Sequence, residues 1–196
     1  MTNEAIIKFA RENNGTLTAA ELDKAGISRG HLDYALKNGL LERSSRGVYI
    51  LPEAFDDEMF GLQMKYKKGV FSCETALFLH GLTDRTPNRY CMSFPRTYNV
   101  TSPKNDNVVC HCVTSECYEI GIVQTLTSFQ NTVNVYCPEK TLCDILRPHY
   151  HVDIQLISEA FKTYVNGDKV NIPLLSEYAD KLKVADRVRS YLEVLL

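Results

Sequence analysis

The chain has no apolar run approaching the roughly 20 residues that cross a bilayer. Its opening, "MTNEAIIKFA", has no basic start followed by an apolar core. A membrane or exported protein is therefore not expected, and a cytoplasmic one is. Net charge is small, −2 from 22 Lys/Arg against 24 Asp/Glu, which excludes a polyelectrolyte partner for nucleic acid; any such binding has to be local. There is no Gly-rich phosphate loop, no H-E-x-x-H, no nucleophile elbow, no internal repeat and no low-complexity tract. Without the first elements of a catalytic site, neither an enzyme nor a cofactor is expected.

Cysteine is present without a framework. The seven cysteines are an odd count at irregular spacing, which argues against a set of disulfides. "CHCVTSEC" brings Cys110, His111, Cys112 and Cys117 together, but a zinc site built on a knuckle needs a second pair of ligands, and none is visible. Free thiols and no metal are expected. "YCPEKTLCD" places Glu139, Lys140 and Asp144 on one helix, a spacing that suits capping and surface pairing better than a nuclease centre, which needs clustered carboxylates. His149 and His151 in "RPHYHVD" form only a loop pair.

What is there is best organised at the start. "TAAELDKAG" reads as a short helix with a capping box from Thr18 and Glu21 and a stop at Gly26. Ser28 caps a second helix running to about Asn38, with Leu32, Ala35 and Leu36 inward and Arg29, Gly30, His31, Asp33, Tyr34 and Lys37 outward. Two short helices joined by a Gly-containing turn form a helix-turn-helix pattern. Glu42-Arg43, the turn "SSRG" and Val48-Tyr49-Ile50 then make a hairpin, a wing. From Lys24 to Arg46 five Lys/Arg stand against Asp33 and Glu42, a local balance of +3 (5 − 2).

A recognition helix offers its first turns to base edges while basic and hydroxyl groups hold phosphates. On that pattern Arg29 and His31 face bases or phosphate. Ser28, Tyr34, Lys37 and Ser45 are hydrogen-bonding or charged neighbours, and Arg43 and Arg46 reach the flanking backbone or the minor groove. The competing readings are a solvated basic face and a winged helix used for protein contacts.

Beyond Pro52 the texture is helical to about Gly81, rich in strands from Tyr90 to Cys137, and helical again to the end. Strands bracketed by helices predict an α+β fold: a winged helix-turn-helix over 1–52, then a larger mixed domain over 53–196 with an antiparallel-type sheet and C-terminal helices. Lys65, Lys67, Lys68, Arg85, Arg89, Arg96 and Lys104 are a candidate basic surface on this second part, or an ordinary solvated face.

Four segments together resemble one family. "GTLTAAELDKAGISRGHLDYALKNGLLERSSRGVYIL", "FSCETALFLHGLTDRTP", "VYCPEKTLCDILR" and the tail "VRSYLEVLL" are similar to the AbiEi antitoxins of type IV toxin–antitoxin, or abortive infection, systems. The resemblance implies a repressor whose winged helix binds inverted repeats of double-stranded DNA in its own promoter. It also implies a C-terminal domain that counters a nucleotidyltransferase-like AbiEii toxin without requiring a stable complex. Asp33 departs from many winged helices by putting an acid on the outer face of the recognition helix. The alternative is a winged-helix regulator whose C-terminal domain binds a ligand or partner protein.

Overall fold

The structure, a computed structural model, describes residues 3–195. The chain divides into two compact units: the residues up to Lys67 with Leu126–Thr132, and Lys68–Thr125 with the residues from Val133 on. The boundary lies beyond the break expected after residue 52, and the first unit is discontinuous in sequence.

The first unit begins with α1 (Asn3–Glu12), β1 (Thr16–Thr18), α2 (Ala19–Lys24), α3 (Arg29–Lys37), β2 (Glu42–Ser45) and β3 (Val48–Ile50). The α2 capping box forms as read: Thr18 Oγ1 accepts from the Glu21 amide at 3.2 Å, and Glu21 Oε2 accepts from the Thr18 amide at 2.7 Å. Gly26 takes φ +69° and lets Ile27, buried, donate back to the Leu22 carbonyl at 2.9 Å. Ile6, Ala10, Leu17, Leu22, Ala35 and Leu41 close the core, each large aliphatic side chain stabilising by about 1.5–3 kcal/mol through burial.

β1 is a strand the sequence pattern does not announce, because three residues are too few to show alternation. It pairs antiparallel with β3, Thr16 opposite Ile50 and Thr18 opposite Val48, while β2 pairs on the other side of β3. The Ala19 amide donates to the Gly47 carbonyl at 2.8 Å. The wing is thus fixed to the helix-turn-helix by backbone bonds.

α4 (Glu58–Lys65) also belongs to this unit. It buries Met59, Phe60 and Leu62, so the chain beyond Pro52 is needed to finish the unit. Asp57 caps it, Oδ1 accepting from the Phe60 amide at 3.1 Å. Its other oxygen accepts from the Thr127 hydroxyl and, at 2.9 Å, from the Asn131 side-chain amide. All three side chains are buried, and this carboxylate explains why residues 126–132 join the first unit.

The second unit contains β4 (Val70–Phe71), α5 (Cys73–Leu79), β5 (Cys91–Pro95), α6 (Thr101–Asn105), β6 (Val109–Val113), α7 (Ser115–Glu119) and all but the end residues Leu126 and Thr132 of β7 (Ile122–Leu126) and β8 (Thr132–Tyr136). Then come α8 (Pro138–Ile145), a 3-10 turn (Pro148–Tyr150), α9 (Ile154–Val165), α10 (Ile172–Lys181) and α11 (Ala185–Leu195). The sheet runs β6-β5-β4-β8-β7. β4 is antiparallel to β5, but β4–β8 and β5–β6 are parallel, so the sheet is mixed.

α8 is the centre of this unit. Every residue from Glu139 to Ile145 is buried, with α5, α9 and α10 packed on it. The surface pairing expected for Glu139, Lys140 and Asp144 is therefore corrected: all three lie in the core. Lys140 pairs with Asp144 one turn on, and its ammonium sits 4.3 Å from the centre of the Tyr136 ring. Asp144 Oδ1 also faces Arg147 Nη1 at 3.4 Å, and Glu139 accepts from the Tyr164 hydroxyl at 2.8 Å. A helix whose charges satisfy one another at i, i+4 can be buried all round, although its sequence reads like a solvated face.

Gly121 (φ +74°) lies over this pair: a Cβ there would stand 2.8 Å from Lys140 Cβ. His80, the C-cap of α5, donates from Nε2 to the Tyr136 carbonyl at 2.7 Å, since a carbonyl can only accept. Burial lowers its pKa.

Breaking one side of a buried pair strands a charge and costs about 3–5 kcal/mol, whereas replacing both by apolar groups is near neutral. Asp144→Leu is therefore expected to destabilise by about that amount, and Lys140→Met/Asp144→Leu to recover most of it. Denaturant unfolding of the two variants checks this; equal destabilisation in both would contradict it.

Candidate nucleic-acid interface

Ser28 begins the candidate surface as the cap of α3. Its Oγ accepts from the His31 amide at 3.4 Å and lies 2.7 Å from His31 Nδ1. This contact holds the imidazole ring at the start of α3. Ser28 is thereby occupied in orienting His31 rather than free for phosphate. The outer face of α3 presents Arg29, Gly30, Asp33, Tyr34 and Lys37, all exposed, with His31 half-buried at its edge. Tyr34 is 50% exposed, unusual for an aromatic ring with no partner to cover it.

Gly30 is a residue that sequence reasoning passed over. A Cβ there would meet only Ser28 Oγ, at 3.9 Å, so packing does not require glycine. Its absent side chain leaves the first turn of α3 open to close approach.

On the wing, Arg43 and Arg46 are exposed, and a register shift between Arg43 and Ser45 bends the strand before the tip. Ser44 donates to Asp56. Ser45, expected among the contacting residues, instead has its Oγ buried, within reach of α4: a Cβ on Gly61 would stand 3.5 Å from it. In this position it does not reach a phosphate.

The two cations of α1 are each paired. Lys8 pairs with Glu12 at 3.9 Å, and Arg11 with Glu53 at 3.5 Å. Lys24, Arg29, Lys37, Arg43 and Arg46 make no ion pair among the described residues. These five cations stand at the end of α2, on α3 and on the wing.

The second candidate surface does not assemble in this way. Lys65 and Lys67 fall in the first unit, the other five residues in the second. Within the second unit Arg85 pairs with Glu159 of α9 at 3.1 Å, and Arg89 Nε donates to the Asn107 carbonyl at 3.0 Å. Lys104 ends α6, close to the start of β6, whereas Arg96 follows the far end of β5, its amide donating to Val113 at 2.8 Å. Arg89 and Lys104 thus lie at one end of the parallel β5–β6 pair and Arg96 at the other. Lys68 is exposed, its carbonyl taking the Tyr118 hydroxyl at 2.8 Å. These are separate contacts rather than one basic patch.

All seven cysteines are free thiols. Burial pushes Cys110 up to about 11 and Cys143 up to about 12, the opposite of the thiolate a metal selects. Burial also drives His111 down to about 4; its ring centre lies 4.5 Å from that of Tyr150, which His149 approaches at 4.3 Å. Among the described residues, no three His, Cys, Asp or Glu side chains are grouped to hold a metal, and no helix is long and apolar enough to cross a membrane.

A helix-turn-helix, its basic wing and the three-stranded sheet that joins them fill residues 16–50, and residues 4–52 match the family model described as a transcriptional regulator, AbiEi antitoxin. The N-terminal segment is thus similar to an AbiEi-type regulator. The resemblance read from the sequence is borne out there. No curated protein matches the chain in sequence. Among solved structures, the chain is similar in fold to the RV2827C protein from Mycobacterium tuberculosis, with a TM-score of 0.51 and 13% identity over 96% of this chain and 79% of that one. The similarity therefore extends the fold through the second unit as well.

Removing Arg29 and Arg46 together is expected to weaken binding to operator DNA. The dependence of log affinity on log salt should also fall by about 1 for each phosphate that the protein no longer neutralises. A gel-shift titration at several salt concentrations measures both. An unchanged affinity and slope would remove these residues from the interface.

Proposed function

We propose that the protein is an autorepressor and antitoxin of a type IV, phage-defence toxin–antitoxin operon, acting in the cytoplasm without catalysis. The first unit binds inverted repeats in its own promoter. α3 enters the major groove with Arg29, His31, Tyr34 and Lys37 facing bases and phosphates, and Arg43 and Arg46 hold the flanking backbone. The observation that carries the reading is the set of five cations without an ion pair among the described residues, Lys24 at the end of α2 and four on α3 and the wing, which gives residues 24–46 a local balance of +3 in a chain whose net charge is −2. Such a local field supports attraction to phosphate without making the whole molecule a polycation.

Ser28 acts here through His31. By holding Nδ1 it leaves Nε2 for a base edge or a phosphate. Gly30 allows the backbone at the start of α3, with its unpaired amides and positive dipole end, to approach a phosphate. Asp33 supplies an acceptor that suits the amino group of cytosine.

The second unit counters a nucleotidyltransferase-like AbiEii toxin, with no stable complex needed. Its scattered cations support this role less than its separate core does, since the neutralising activity then resides in a part of the fold that the DNA-binding residues do not build. The alternative, a regulator whose second unit binds a ligand or another protein, differs in what that unit does beside the toxin gene.

Both activities can be read in one strain with a promoter reporter and a growth-rescue assay. Arg29→Ala/Arg46→Ala is expected to abolish repression while rescue from the toxin persists. Absence of rescue at normal protein levels would show that antitoxicity depends on DNA binding. Failure of the unaltered protein to rescue would favour the ligand- or partner-binding alternative.

A further inference from the structure

β7 is an edge strand of the five-stranded sheet, next to β8 and with no strand on its other side among the described residues. An edge strand exposes a row of backbone donors and acceptors, and proteins ordinarily shield it with lysine, proline, a bulge or a covering element. β7, "IVQTL", has none of the first two, and four of its five residues are exposed. Ile122 is 37%, Val123 38% and Leu126 51% exposed. No Asp, Glu, Lys, Arg or His occurs anywhere from Ile120 through Pro138, although charged residues make up 23% of the chain. The opposite edge, β6, is not comparable: only one of its five residues is exposed.

The sequence of β7 is also complementary to itself. Turned antiparallel about Gln124, it sets Ile122 opposite Leu126 and Val123 opposite Thr125 of a second copy, with Gln124 opposite its own counterpart. Side chains alternate between the faces of a strand. Ile122, Gln124 and Leu126 therefore share one face, giving two Ile–Leu contacts around a pair of amides that can hydrogen-bond to each other. Val123 and Thr125 give β-branched pairs on the other face. Each such pair stabilises a sheet, and no like charges are brought together. A contact in which residue i meets j and j meets i is the form a two-fold dimer requires. A foreign peptide could use the same backbone edge, but it would not account for side chains that match their own reversal.

We propose that two copies of this chain pair antiparallel along β7 across a two-fold axis at Gln124, joining their sheets into one. This goes beyond the proposed DNA-binding and antitoxin roles and does not depend on them.

The test uses the full chain without DNA. Light scattering is expected to give twice the 22.2 kDa of one chain at tens of micromolar, falling to one on dilution. Gln124→Lys sets two ammonium groups face to face on the axis, at an exposed position that should leave the fold intact. Its dimer constant is expected to weaken by at least about tenfold, with an unchanged thermal transition. In Gln124→Cys, antiparallel pairing brings the two Cα atoms within about 4.5–5.5 Å, inside disulfide range. Mild oxidation is therefore expected to link position 124 of one copy to position 124 of the other, mapped by mass spectrometry of the peptides. A monomer throughout the concentration range, a Gln124→Lys dimer as tight as the original, or links confined to the native Cys112 would each overturn the proposal.

Discussion

The Lys140–Asp144 pair is the constraint around which the second unit is arranged. It allows α8 to be buried on all sides although three of its eight residues are charged. The ammonium is covered by the Tyr136 ring, the carboxylate is shared with Arg147, and the remaining acid, Glu139, takes the Tyr164 hydroxyl. That hydroxyl in turn accepts the Asn171 amide at 2.8 Å, which ties the entry of α10 to α8. The sheet reaches the same point through Gly121, where there is no room for a Cβ over Lys140. Apolar packing by Leu142, Ile145, Phe161 and Leu175 fills the spaces between these polar contacts. In such a centre the polar groups fix which helix meets which strand, while burial supplies most of the stabilisation.

The same physics bears on the proposed interface. In the second unit Lys140 is paired inside, Arg85 lies on Glu159 and Arg89 on a carbonyl, while Arg96 and Lys104 are exposed without an ion pair among the described residues. In the first unit, the cations at the end of α2, on α3 and on the wing have no ion-pair partner among the described residues, while Lys8 and Arg11 do. A cation with no internal partner retains its hydration and its field, both of which a phosphate backbone can exploit. The three-stranded sheet matters because it holds α3 and the wing at one geometry. Two binding elements that moved independently would give up more entropy on docking.

Much of the first unit was legible because its signals are local. Thr18 with Glu21, Ser28 and Gly26 each act within four residues, and the structure shows each doing what its type and spacing imply. The exposed set on α3 followed from helical periodicity alone. What escaped was decided by contacts distant in sequence. β1 is defined by its pairing with β3, well down the chain. Asp57 needs Thr127 and Asn131, which no local pattern connects to it, so nothing near α4 in sequence ties it to the first unit. Ser45 is a small hydroxyl on a basic hairpin, and only the proximity of Gly61 shows that it faces inward. The i, i+4 spacing of Lys140 and Asp144 was visible, but the same spacing describes a solvated pair. Their burial depends on the helices that surround them.

The most direct test of the functional reading is amide chemical-shift mapping of the nitrogen-labelled protein as promoter DNA is added. The expected result is that the largest changes fall on Gly30 to Lys37 of α3 and on Arg46 and Gly47 of the wing, while the amides of α8 stay in place. Changes concentrated in the second unit, with α3 and the wing unmoved at saturating DNA, would contradict it.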